Sequence, residues 1–212
     1  MQKSMTLSYE VGNNLYLNIT NQCPCRCVFC IRKNDDGAYG SDSLWLEHEP
    51  TMLEMQEDLK KRDLTKYQEL VFCGYGEPLM RLKFACELAS YLKNNYPDIC
   101  LRLNTNGLAD IYNPKEALAD NSDSATKISA VFDKVSVSLN AGCSEIYQQV
   151  TNPKNSPENA FATMLHFAET CKNQGVDTCF TVVDVISESE IAKAQKIADK
   201  LQIPLSVRKY IC

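Results

Sequence analysis

The sequence predicts an α/β protein, a partial (β/α)6 TIM-like barrel of parallel strands with helices outside. Three observations carry this. Six short apolar strand runs recur along the chain, helical stretches with capping signals lie between them, and several strands alternate apolar with polar residues. Strands separated by helices pair in parallel through right-handed crossovers. That leaves an open doubly wound sheet or a barrel. Parallel strands covered on both faces read as continuous apolar runs, and these do not. Leu15, Leu17 and Ile19 alternate with Tyr16, Asn18 and Thr20, and Leu101 and Leu103 with Arg102 and Asn104. Val135, Val137 and Leu139 alternate with Ser136, Ser138 and Asn140, and Leu205 and Val207 with Ser206 and Arg208. One face for the helices and a polar face for a lumen fits the barrel.

In order, "LYLNIT" (15–20) is the first strand, followed by a long loop over 21–50. Thr51 and Glu54 then form a capping box that opens a helix. "ELVFCG" (69–74) is the second strand, and Leu82, Ala85, Leu88, Ala89 and Leu92 make the apolar stripe of the helix after it. "CLRLNT" (100–105) and "KVSVSLN" (134–140) are the third and fourth strands. Ser156 followed by Pro157 reads as an N-cap with a first-turn proline, leading to a stripe of Phe161, Met164, Leu165, Ala168 and Cys171. "CFTVVDV" (179–185), a second capping box at Ser187 and Glu190, and "PLSVRKYI" (204–211) complete the pattern. No repeat or flexible linker divides it, so residues 1–212 read as one domain without an extension for a further metal cluster.

Composition bounds the function. Hydrophobic residues make up 44% and charged residues 23%, the balance of a globular protein with a proper core. Net charge is −5 and no stripe of Lys and Arg forms, which disfavours non-specific nucleic-acid binding. No apolar run is long enough for a bilayer, and "MQKSMTLSYEVGNN" lacks the order of a signal peptide. A cytoplasmic, non-membrane protein is the expectation. In a reducing compartment its 11 cysteines are thiols, ligands or catalytic groups rather than cross-links.

Four of them fall in "CPCRCVFC", residues 23–30. The stretch follows the first strand, and βα folds collect functional residues at that end of their strands. A disulfide cluster, a zinc site and an iron–sulfur site are the chemical alternatives. Cys23, Cys25, Cys27 and Cys30 supply four thiolates, but structural zinc usually splits two pairs across a longer loop. Cys23, Cys27 and Cys30 form a C-x3-C-x2-C run, which suits three irons of a four-iron cluster with one iron left open. "FCGYGEP" and "NTNG" end the second and third strands, and their glycines let backbone approach a ligand.

These stretches resemble the radical SAM superfamily. "CPCRCVFC" contains C-x3-C-x-F-C, "GYGEP" resembles that family's Gly-Gly-Glu-Pro stretch, and "NTNG" and "SLN" resemble its ribose-side strands. "CIR", "LWLEHEPT", "VFCGYGEP", "RLNTNGLAD", "VSVSLNA", "TVVD" and "VRKYI" resemble the small TatD-associated radical SAM proteins over most of the chain. The resemblance implies a [4Fe-4S] cluster on Cys23, Cys27 and Cys30 that binds S-adenosylmethionine (SAM). One electron then cleaves SAM to a 5′-deoxyadenosyl radical, which abstracts hydrogen from a substrate. It also implies a flavodoxin- or ferredoxin-like electron donor and an association with a TatD-like hydrolase. No substrate follows from it. A glycyl-radical activating enzyme and a non-catalytic cluster- or SAM-binding module are the alternatives.

The same resemblance assigns cofactor roles. Phe29 leans toward the adenine, and Gly74, Gly76, Glu77 and Pro78 receive the methionine amino group. Tyr75 departs from the family's pattern by standing between the two glycines. Asn104, Ser138 and Asn140 face the ribose. By their place on the lumen face, Arg102 and Arg208 each hold a carboxylate of SAM or an anionic substrate group, or else sit in a salt bridge. Cys25 reads as a bystander with its sulfur turned away, and Asn106 as the closure of an Asn-Gly turn. Cys73 is the candidate catalytic hydrogen-atom donor, with core packing as its plain alternative. "LWLEHEP" (44–50) is either a lid or a packed loop anchored by Trp45. His48 and His166 suggest no metal site.

Overall fold

The computed structural model describes residues 2–210. Ile211, the end of the sixth strand run, and Cys212 lie outside the described residues. Among the described residues seven strands form one sheet in sequence order: β1 (Ser8–Val11), β2 (Asn14–Leu17), β3 (Leu70–Phe72), β4 (Leu101–Thr105), β5 (Lys134–Ser138), β6 (Asp177–Val183) and β7 (Leu205–Arg208). From β2 to β7 every neighbour is parallel, with Leu15 opposite Leu70, Leu70 opposite Leu101 and Leu103 opposite Val135. Strand β1 is the addition that the sequence reading lacks. It pairs antiparallel with β2 across Gly12 and Asn13. Gly12 has φ +57°, the left-handed backbone that glycine supplies at the first central position of a two-residue hairpin turn. Among the described residues β7 pairs only with β6, so the sheet curves without closing.

The crossovers carry these α-helices: α1 (Met52–Lys60), α2 (Leu82–Asn95), α3 (Ala109–Tyr112), α4 (Pro114–Ala117), α5 (Ser124–Ser129), α6 (Ser144–Thr151), α7 (Ala160–Asn173) and α8 (Glu188–Leu201). Both predicted boxes mark real starts, but the second keeps just its Ser187 half, since the Glu190 carboxylate turns to Lys193 and Gly142 N. The Thr51 hydroxyl accepts from Glu54 N, while the Glu54 carboxylate accepts from Thr51 N at 2.7 Å. Ser187 accepts from Glu190 N and opens α8. The Ser156 start is corrected. Asn155 and Ser156 are both left-handed, at φ +60° and +39°, and make a turn onto Pro153 O, so α7 begins only at Ala160. Its buried stripe is Ala160, Met164, Phe167, Ala168 and Cys171, with Phe161 and Leu165 only half-buried. The α2 stripe is as expected, each residue buried.

The main core lies between these helices and the sheet, with Leu15, Leu17, Phe72, Leu103, Val137 and Phe180 fully buried. A smaller apolar cluster, Tyr9, Ala38, Leu44 and Tyr75, ties the hairpin to the long loop after β2. The 44–50 stretch is therefore a packed segment. Leu44 and Leu46 are buried, Trp45 meets Tyr75 edge-on at 5.3 Å, and Glu49 accepts from the Thr20 hydroxyl at 2.6 Å. The polar alternation also has its uses at the base of the sheet. Arg102 pairs with Glu69 at 2.8 Å, and Lys134 reaches the same carboxylate at 3.0 Å. Of its two expected roles, Arg102 takes the salt bridge.

Candidate active site

Two adjoining chambers at the C-terminal ends of the strands share much of their lining, one of about 280 Å³, termed outer for its place beside β7, and one of about 200 Å³, termed inner. Cys27, Phe29, Cys73, Asn104, Ser138 and Asn140 line both, as does Arg208. Cys23, Gly76 and Glu77 line the inner chamber alone, and Cys30, Gly74 and Tyr75 the outer. So every candidate site residue except Pro78 and Arg102 borders this one space. A larger groove of about 460 Å³ sits at the opposite ends of the strands, between Tyr67, Tyr96 and Cys100, and holds none of them.

The cysteine loop is fixed by its own backbone and by two cations. Arg26 N donates to Thr151 O at 3.0 Å, and Cys25 makes a bridge to Pro153. Arg32 donates to Tyr75 O at 3.1 Å and to Cys25 O at 3.3 Å, and it lies 6.0 Å from the Trp45 ring. Lys33 donates to Cys27 O at 2.7 Å. Arg32 thus clamps the cysteine loop to the loop after β3, a role that the sequence reading did not find.

That backbone also corrects the view of Cys25. Its sulfur faces inward, hydrogen-bonded to Cys23 and Cys27, and accepts from Asn106 Nδ2 at 3.7 Å. The hydrogen bond from Cys25 brings Cys23 down to about 7 against the effect of burial. The same contacts push Cys25 upward. Cys30 is raised, chiefly by burial.

The glycine loop is cut to fit the end of β2. A Cβ on Gly74 would strike the Asn18 side chain, with Asn18 Cγ at 2.7 Å, and one on Gly76 would meet Gln22 O at 2.7 Å and Thr20 O. Asn18 itself is fully buried, donates to Leu44 O at 2.9 Å and accepts from Tyr75 N at 3.4 Å. Tyr75 departs from the family's pattern without blocking the space. Its hydroxyl turns to Asp35 O and Gly37 O, at 2.8 and 2.5 Å. Pro78 is buried and opens a short 3-10 turn after Glu77.

Glu77 is 6% exposed, and its carboxylate accepts from the Thr105 hydroxyl at 2.6 Å, Asn106 N at 2.8 Å and Leu79 N at 3.1 Å. Burial, helped by the charge of Cys23, still pushes it up to about 7. It caps the turn and faces the chamber at once. Asn106 closes its turn as expected, accepting from Leu108 N at 3.0 Å.

On the remaining wall, Asn140 is left-handed at φ +56°, a backbone that Asn tolerates. Arg208 donates to Ser136 Oγ at 3.3 Å. Cys73 is raised by burial, opposed by a hydrogen bond from Asn104 and the charge of Arg208, so it stays a thiol. Asn104 Oδ1 and the Tyr147 hydroxyl are buried without a hydrogen-bond partner, and both residues border the inner chamber.

The donor chemistry fits an iron–sulfur cluster better than a single ion. Structural zinc usually splits two pairs of thiols across a longer loop, which the tight 23–30 run does not. Thiols that bind separate irons instead stand around a space, as Cys23, Cys27 and Cys30 do here. The orphaned Asn104 oxygen and the glycine cradle fit a polar cofactor alongside.

Comparison with known proteins agrees. The chain is 33% identical to a 5-amino-6-(D-ribitylamino)uracil–L-tyrosine 4-hydroxyphenyl transferase of Methanosarcina mazei over 99 residues, 45% of this chain and 22% of that one. It is 25% identical to the corresponding transferase of Trichormus variabilis over 229 aligned positions, 99% of this chain and 54% of that one. It therefore spans about half or less of the curated relatives it matches. Streptococcus suis SuiB bound to the precursor peptide SuiA has the same fold, at TM-score 0.67 and 14% identity over 94% of this chain and 39% of SuiB. SuiB bound to S-adenosylmethionine matches equally, at TM-score 0.67 and 13% identity over 94% and 41%. The model of the Radical SAM superfamily matches residues 17–198, so the chain belongs to that superfamily, whose cofactors are a [4Fe-4S] cluster and SAM.

Proposed function

We propose that the chain is a radical SAM enzyme acting on a substrate held in the outer chamber. The observation that carries this is the junction of the three-thiol loop and the glycine cradle on one space. When bound and reduced, the cluster supplies the electron that opens the sulfonium of SAM and so yields the hydrogen-abstracting radical. Cys23, Cys27 and Cys30 hold the cluster. The Gly74–Pro78 loop and Glu77 receive the methionine end of SAM, with a carboxylate able to accept from its ammonium. Phe29, which belongs to neither apolar core, offers its face to the adenine. Asn104, Ser138 and Asn140 meet the ribose. Arg208, which borders both chambers, is placed to take a carboxylate.

Cys73 keeps its proton and faces both chambers, so it can give a hydrogen atom to a substrate radical. An external flavodoxin- or ferredoxin-like donor then returns an electron to the thiyl, with a proton. Membership of the TatD-associated group, a TatD-like hydrolase partner and a cytoplasmic location complete this reading. Among the described residues no helix is long and apolar enough to cross a membrane. A second reading, a peptide or protein substrate, draws on the exposed edge of β7 and the likeness to peptide-bound SuiB.

The test is anaerobic reconstitution with iron and sulfide, then dithionite and SAM, with 5′-deoxyadenosine and methionine read by mass spectrometry. Wild type should form both products and Cys27→Ala neither. A fully loaded cluster that leaves SAM intact under every reductant would overturn the enzyme reading.

A further inference from the structure

Resting on that reading, we propose that the outer chamber binds a small substrate with a planar ring and an anionic group. The chain is acidic overall, yet no Asp or Glu lines this chamber among the described residues. Two cations do, Arg208 and Lys209. Neither has an ion-pair partner among the described residues, and Arg208 spends one weak hydrogen bond on Ser136. Asp184, just after β6, accepts from Tyr210 N at 2.6 Å. An exposed cation that faces a cavity without a counter-charge focuses a positive potential into it.

Aromatic side chains form a further part of the wall. Tyr16, Phe29, Tyr39 and Tyr210 border the chamber, with Tyr39 58% and Tyr210 39% exposed. Tyr39 holds its place with φ +54°, a left-handed backbone that is uncommon for tyrosine. Aromatic faces select flat, unsaturated partners, and the cations select carboxylate or phosphate. SAM does not account for the whole set. Arg208 serves both chambers, but Lys209, Tyr39 and Tyr210 belong to the outer one alone.

The experiment uses reconstituted protein with SAM and two probes of equal shape, 4-hydroxyphenylacetate and its neutral amide 4-hydroxyphenylacetamide. Binding is read by ligand-observed NMR titration at two salt concentrations. The acid should bind about fivefold tighter than the amide, the scale of one or two exposed charge contacts. High salt should erase the difference. Lys209→Gln should shrink it while leaving substrate-free 5′-deoxyadenosine formation unchanged. Equal binding of acid and amide, no binding of either, or a preference that survives both salt and Lys209→Gln would overturn the proposal. If SAM cleavage is absent but the preference is present, the reading of the reaction fails and the anion site stands.

Discussion

Tyr147 is a side chain whose cost is visible in the structure. Its hydroxyl is fully buried and unpartnered beside the inner chamber. A buried donor without an acceptor destabilises by about 1–3 kcal/mol. In the iron-free chain Tyr147→Phe should therefore leave the melting temperature unchanged or raise it, and a fall of several degrees in a thermal melt would show that the hydroxyl has a partner. Gly76 makes the opposite case. Gly76→Ala forces a methyl onto the carbonyls of Thr20 and Gln22, so urea titration should find a loss of about 1–3 kcal/mol, the scale of overpacking. The cysteine stretch was legible because thiols that crowd this closely have few chemical uses. The inward turn of Cys25 was not, since it depends on the bridge to Pro153 and the Arg26 bond to Thr151, over a hundred positions away.

Among the elements, α1 gives a test with a definite pH. Glu54 is held down to about 2, first by the bond from Thr51 N, then by Thr51 Oγ1 and His48. A carboxylate depressed by folding adds stability that is present above its unfolded value, near 4.5, and is lost as pH falls through about 2. Comparing the melting temperatures of wild type and Glu54→Gln across pH 2 to 6 should show a gap at pH 6 that closes by pH 2. A gap that does not change with pH would assign the effect to something other than the ionised cap. Arg32 joins two elements. Arg32→Ala removes its bonds to the carbonyls of Tyr75 and Cys25. Iron retention under a chelator challenge should then shorten severalfold, whereas an unchanged rate would mean that the loop holds itself. The helices α1, α2 and α8 were legible from local caps and stripes. Strand β1 lies in a Gly-Asn hairpin that local turn chemistry also marks, but a single short strand before the βα pattern carries no periodicity of its own. The false start at Ser156 has a different origin: the Asn155–Ser156 turn consumed a pair of residues that otherwise read as a cap.

In the whole molecule, an unclosed sheet leaves its strand ends open to a loop from the first crossover, and the cysteines ride on that loop. Alternation along β2, β4 and β5 foretold a polar inner surface, and the structure divides it by height. Glu69, Arg102 and Lys134 neutralise one another at the base, while Asn104, Ser138 and Asn140 remain for ligands at the rim. That division depends on which strand lies beside which, so a strand-by-strand reading cannot supply it. The central claim is that Cys23, Cys27 and Cys30, which border the two adjoining chambers, hold a cluster with one iron left for SAM. Electron paramagnetic resonance of the reduced, reconstituted protein, paired with iron and sulfide analysis, tests this most directly. The account predicts about four irons and four sulfides per chain, a signal that changes shape when SAM is added, retention of both in Cys25→Ser and loss of both in Cys27→Ala. A four-iron signal indifferent to SAM, or a chain that holds zinc and rejects iron, would contradict it.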